Sequence, residues 1–103
     1  MADWSERYSY TEANVKRYAP TSGGVYRLVA KSDEKYPVFY VGQSEDLQDR
    51  LLNHLSASEP NSCIKRHLGN YSCFFRFLRV GSAADRDRIE KQQIQKFSPT
   101  CNK

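Results

Sequence analysis

Residues 24–42 read GVYRLVAKSDEKYPVFYVG, and the fold turns on this stretch. Two apolar runs flank a polar connection. Val25 to Ala30 is rich in β-branched and aliphatic residues, Lys31 to Tyr36 is almost wholly polar, and Pro37 opens a second run that continues through Val41. Proline is tolerated at the start of a strand because no ladder hydrogen bond is needed there, so the pattern predicts an antiparallel hairpin. Each run carries a tyrosine flanked by glycine in mirrored fashion, Gly24-Val25-Tyr26 and Tyr40-Val41-Gly42. A glycine beside a phenol leaves room for backbone or ligand to approach closely.

Working outward, Ser44 is placed to cap a helix with Glu45 and Asp46 in its first turn, running to about Leu55. Upstream, Thr11 caps a short helix over 12–18 that Pro20 and Gly23-Gly24 end. Downstream, Asn61 or Ser62 starts another helix, with Gly69 expected as its left-handed cap. Ser72 to Val80 presents large apolar residues on both alternating faces, as a central strand does. Gly81-Ser82 then turns into a helix over 83–97 that Pro99 stops. The expected fold is α+β, a small three-stranded antiparallel sheet flanked by helices. Residues 1–21 form a helical arm before a domain spanning 22–103.

A chain of 103 residues with 39% hydrophobic and 27% charged residues suits one domain with a modest core. No apolar run reaches the ~20 residues of a membrane helix, and a cytoplasmic location is expected. Cys63, Cys73 and Cys101 are an odd number at irregular spacing, which reads as reduced thiols. Residues 1–60 hold seven Lys/Arg against nine Asp/Glu, and residues 61–103 hold nine against three. A basic surface in the second half suits a phosphate backbone. Lys65, Arg66, Arg86 and Arg88 are its candidate contacts, and Gly42, Gln43 and Asn102 are further nucleic-acid-binding candidates.

Three further residues carry chemistry. Arg50 and His54 lie four apart beside the stripe of Leu47, Leu51 and Leu55, so one helix face presents a guanidinium and an imidazole together. Glu90 shares a stripe with Ala83, Ile94 and Phe97, where a carboxylate is costly unless paired or bound to metal.

In order and spacing these residues resemble the GIY-YIG nuclease superfamily, named for two tripeptides like Gly24-Val25-Tyr26 and Tyr40-Val41-Gly42. The nuclease domain of the bacterial excision-repair incision subunit is similar. There an arginine follows the second tyrosine by ten residues, as Arg50 does Tyr40, and a tyrosine or histidine comes four later, as His54 does. A late helical glutamate and an asparagine about twelve residues on match Glu90 and Asn102. The connection between the tyrosines is about four residues longer here, and Gln43 stands where many members carry lysine.

The resemblance implies a DNA endonuclease with one divalent ion, Mg2+ or Mn2+, held by Glu90. Tyr40 would orient or deprotonate the attacking water, and Arg50 would clamp the phosphate. Tyr26 and His54 would complete the water and phosphate network, and Asn102 would fix local backbone. Tyr26, Tyr40, Arg50, His54 and Glu90 are then expected in one cleft on one face of the sheet. A partner protein or attached domain would supply specificity. Two alternatives stand beside this reading. One is an inactive nucleic-acid-binding or protein-interaction module on the same fold. The other is a zinc site drawn from Cys63, His67, Cys73 and His54.

Overall fold

The computed structural model describes residues 3–56 and 58–102. Strand β2 (Gly24–Ala30) pairs antiparallel with β3 (Val38–Ser44), as the hairpin requires, with a register shift between Leu28 and Val29. On its other side β2 pairs antiparallel with β4 (Cys73–Arg79). A two-residue strand, β1 (Tyr8–Ser9), joins the far edge of β4, so the sheet has four strands in the order β1-β4-β2-β3. The antiparallel sheet and its flanking helices are as expected, and β1 is the addition. The expectation of a central strand at 72–80 holds because β4 carries apolar side chains on both faces and lies between two partners.

The pleat assigns two layers. Tyr26, Leu28, Phe75 and Phe77 point to one face, where α1 (Glu12–Tyr18), α2 (Leu47–Leu55) and α3 (Ser62–Asn70) supply Val15, Leu47, Leu51 and Ile64 to a single buried cluster. Arg27 and Gln43 point to the other face, which α4 (Ala83–Phe97) covers through hydrogen bonds from Arg27 to Gln93 and from Gln43 to Glu90. A 3-10 turn, Thr100–Asn102, packs against β3. The segment before residue 22 adds β1 and α1 to the same body, with Val15 and Tyr10 inside the core.

Capping explains the boundaries. Thr11, Asn61 and Ser82 each accept a backbone N–H from the first turn of their helix, as anticipated for Thr11 and for Asn61. Two expectations are corrected. Ser44 ends β3 and is not the cap of α2; Asp46 is, accepting from the Asp49 N–H. Gly69 lies inside α3, which ends without a left-handed glycine; the left-handed cap occurs instead at Ser98, after α4.

Among the described residues no helix is long and apolar enough to cross a membrane. The expectation of three reduced thiols is also corrected. Cys63 and Cys101 form a disulfide that ties α3 to the final turn, and only Cys73 is free. Sequence spacing could not reveal the pairing, because it depends on how the chain returns to α3 after α4.

Candidate active site

Tyr26 is fully buried on β2, and its position is fixed from two sides. Gly42 stands directly opposite on β3, and a Cβ at that position would collide with the hydroxyl and Cζ of Tyr26. The missing side chain is therefore what lets the phenol lie across the hairpin. Gly24 is needed for the sheet itself, since a Cβ there would collide with the Leu78 carbonyl of the neighbouring β4 and would also press on Leu47 Cδ1 of α2.

With α2 close, His54 reaches the phenol: the Tyr26 hydroxyl and His54 Nε2 are 2.6 Å apart. Tyr40 closes a triangle of rings, 6.1 Å from Tyr26 and 5.4 Å from His54 between centroids, with Tyr26 and His54 at 5.7 Å. Arg50, one turn before His54, acts electrostatically on both Tyr26 and Tyr40. Behind the imidazole, His54 Nδ1 is 2.7 Å from Glu59 Oε2, and Glu59 Oε1 accepts the Asn61 N–H at 3.0 Å. Both members of this pair are buried, His54 at 1% exposure and Glu59 at 5%.

The electrostatics follow from burial. Desolvation, with the nearby Tyr40 adding to it, pushes the Tyr26 phenol well above its usual pKa of 10, so it stays protonated at neutral pH. Desolvation likewise holds His54 below its usual value, against the opposing pull of the Glu59 carboxylate. Both ring nitrogens of His54 are therefore engaged, Nε2 with the Tyr26 hydroxyl and Nδ1 with the Glu59 carboxyl group.

Glu90 approaches β3 from its other side. It is half-buried on α4, and its Oε1 accepts from Gln43 Nε2 at 3.1 Å, with Asp87 Oδ1 3.5 Å from the same amide. Gln43 points to the face opposite Tyr26, because adjacent residues of a strand alternate. The expectation of five side chains on one face is thus corrected. Tyr26, Tyr40, Arg50 and His54 gather on the α2 side of β3, and Glu90 stands on the α4 side of the same edge strand. The burial of Tyr26 and His54 also removes them from direct contact with bulk water and places them behind Tyr40 and Arg50, which are partly exposed.

Asn102 occupies the third side of β3. Its carboxamide accepts the Val41 N–H at 2.8 Å and donates to the Val41 carbonyl at 2.9 Å, fixing the residue between Tyr40 and Gly42. Of the basic candidates, Lys65, Arg66 and Arg88 are exposed, and Arg88 pairs with Asp85 at 3.3 Å. Arg86 is not a docking residue. It is 6% exposed, and its guanidinium donates to the carbonyls of Val80 and Gly81. The zinc alternative also fails as drawn. Among the described residues, the ligand atoms that come within 4.8 Å of one another are those of Cys63, His67 and Cys101, without Cys73 or His54, and both sulfurs are joined in the disulfide. Sequence reasoning missed Glu59, which lies past the end of α2 in a loop without periodicity.

A hairpin that delivers two phenols to an arginine and a histidine on the following helix, with a half-buried glutamate on the last helix, defines a class of small α+β catalytic domains. The chain belongs to the GIY-YIG catalytic domain family, which it matches over residues 22–103. Among curated proteins it is 33% identical over 84 residues to the UvrABC system protein C of Rickettsia rickettsii and of Rickettsia felis. Those 84 residues are 82% of this chain and 12% of the relatives, so the chain spans about one-eighth of their length. Among solved structures it resembles the GIY-YIG N-terminal endonuclease domain of UvrC from Thermotoga maritima in a form bound to its catalytic divalent cation. The TM-score is 0.67 at 20% identity, covering 87% of this chain and 96% of that one. The magnesium-bound form of the same domain gives a TM-score of 0.66 at 20% identity, covering 87% and 97%.

Proposed function

We propose that this domain is a metal-dependent endonuclease that hydrolyses DNA phosphodiester bonds with a single divalent ion, Mg2+ or Mn2+. The observation that carries the reading is the convergence of Tyr26, Tyr40, Arg50 and His54 around one edge of β3. A packed core has no need to put two phenols, an imidazole and a guanidinium together. Membership in the GIY-YIG catalytic domain family supports the same assignment.

The residues fit such an ion. Glu90 is half-buried, with Oε1 taken by the Gln43 amide and with no hydrogen bond to its other oxygen among the described residues. Magnesium keeps several waters and is commonly held by one or two carboxylates together with substrate phosphate. When bound, the ion supplies Lewis-acid stabilisation of the phosphate and of the leaving oxygen. The rest falls to the chain. Arg50 holds the non-bridging oxygens as negative charge builds. Tyr40, partly exposed beside Arg50, orients the attacking water. Tyr26 and His54 hold these two from behind. Asn102 keeps the backbone of Val41 in place, and exposed Arg66 and Arg88 meet flanking phosphates. A partner or attached domain supplies the choice of DNA target.

Glu90→Gln tests the reading because it keeps the shape and removes the charge. Plasmid cleavage in magnesium should fall by at least a hundredfold, an effect of several kcal/mol on the barrier. Folding and DNA binding should be retained. Full activity in this variant would refute the one-carboxylate site. A wild-type protein that binds DNA without cutting it in magnesium or manganese would point to the inactive module instead.

A further inference from the structure

We propose that Glu59 is a positioning residue of this site: by accepting the Nδ1–H of His54 it fixes the imidazole tautomer that receives the Tyr26 hydroxyl proton. The inference rests on the nuclease reading above and adds a member to it. Three bonds in series carry the idea. Tyr26 meets Nε2 at 2.6 Å, Nδ1 meets Glu59 Oε2 at 2.7 Å, and Glu59 Oε1 is held by the Asn61 N–H at 3.0 Å. Tyr26, His54 and Glu59 are closed off from water, and no buried side-chain polar atom among the described residues lacks a partner. A carboxylate in such a place is costly unless it is fully bonded. Glu59 is bonded at both oxygens, one of them to the imidazole.

The consequence reaches the phosphate clamp. With its proton committed to Nε2, the Tyr26 oxygen has only lone pairs left to present. Those lone pairs are what a guanidinium can bond, and Arg50 is the cation that acts on Tyr26. The opposite tautomer, with hydrogen at Nε2, would turn the hydroxyl hydrogen outward towards Arg50 and Tyr40 and repel the cation. Glu59 selects against it, because Nδ1 would then face the carboxylate lone pair to lone pair. The logic is that of an acid orienting a histidine, in which the carboxylate holds the tautomer without taking the proton.

Acidity follows with a definite sign. The groups facing His54 are Tyr26 from β2, Tyr40 from β3, Arg50 from its own helix and Glu59 from the loop, with Tyr10 close to Arg50 and Glu59. Burial lowers the imidazole pKa, Glu59 raises it, and Arg50 lowers it. Removing the Glu59 charge therefore moves His54 further down. Activity that requires a neutral His54 is lost as pH falls through its pKa, so the acid limb of kcat should move to lower pH in Glu59→Gln.

Two measurements test this together. Nitrogen-resolved NMR of the wild-type protein, with the other imidazole of His67 assigned by a His67→Gln variant, should find His54 protonated at Nδ1 and bare at Nε2 near neutral pH. Hydrogen on Nε2, or a mixture of tautomers, would overturn the proposal, and this arm needs no Glu59 variant to fold. In Glu59→Gln, kcat for plasmid cleavage should drop by about tenfold or more. The acid limb should shift down while the Kd for DNA stays within about twofold. A Glu59 that only supports the loop would lower stability and leave both the tautomer and the limb unchanged, which would also overturn the proposal. Failure of the wild type to cut DNA in magnesium would overturn the nuclease reading and Glu59's part in it. The NMR arm would still report whether the three-bond series exists.

Discussion

An alanine at position 42 would set its methyl group against the hydroxyl of Tyr26, which has nowhere to go because His54 holds it from the other side. Overpacking of this kind costs about 1–3 kcal/mol. The relief that costs least is a shift of the phenol away from His54. Gly42→Ala should therefore lose about 1–3 kcal/mol in urea denaturation, and cleavage by the refolded protein should fall further than lost stability explains. Wild-type values for both would show that Tyr26 is not pinned by the hairpin. At this scale much of the site was legible. The tyrosines were found because each sits two residues from a glycine in mirrored tripeptides, and Arg50 with His54 because i, i+4 residues share a helix face. Glu59 was not legible: it follows the end of α2, and its meeting with His54 depends on the path of a loop. Arg86 was misread for a similar reason. Charge counts cannot tell that a guanidinium folds back onto Val80 and Gly81.

Among the elements, α4 shows where pattern reading works and where it stops. Its span was legible from Ser82, the periodic stripe and Pro99, and the structure reproduces it as Ala83–Phe97. Its face was not. The stripe of Ala83, Glu90, Ile94 and Phe97 was expected to turn towards the core, but Ala83 is exposed and the other three are only half-buried, and α4 lies against the face of the sheet opposite Tyr26. The helix ends at Ser98 with φ 44° and ψ 57°, a left-handed conformation that costs a residue with a side chain on the order of 1–2 kcal/mol. Ser98→Gly should stabilise the protein by about 1 kcal/mol, read as a raised urea midpoint with unchanged slope. An unchanged or lowered midpoint would mean that the serine is held there without strain.

For the whole molecule, the disulfide is the one constraint that sequence patterning pointed away from. It joins residues 38 apart and closes much of the second half of the chain into a loop. In the loop-closure account such a link is worth about 4 kcal/mol against the unfolded chain. Denaturation in dithiothreitol should show most of that loss, and Cys101→Ser should make the protein indifferent to reductant. Identical curves with and without reductant would show that the pair is open in solution. The same end of the chain bears on how copies of the molecule meet one another. The sheet order leaves β3 as a seven-residue border whose outer backbone groups could recruit a strand from a neighbouring copy. Asn102 lays a side-chain amide along that border and answers both groups of Val41, as a single residue of a fifth strand would. One carboxamide thus occupies the two outward backbone groups at the middle of that border, where an added strand would have to pair.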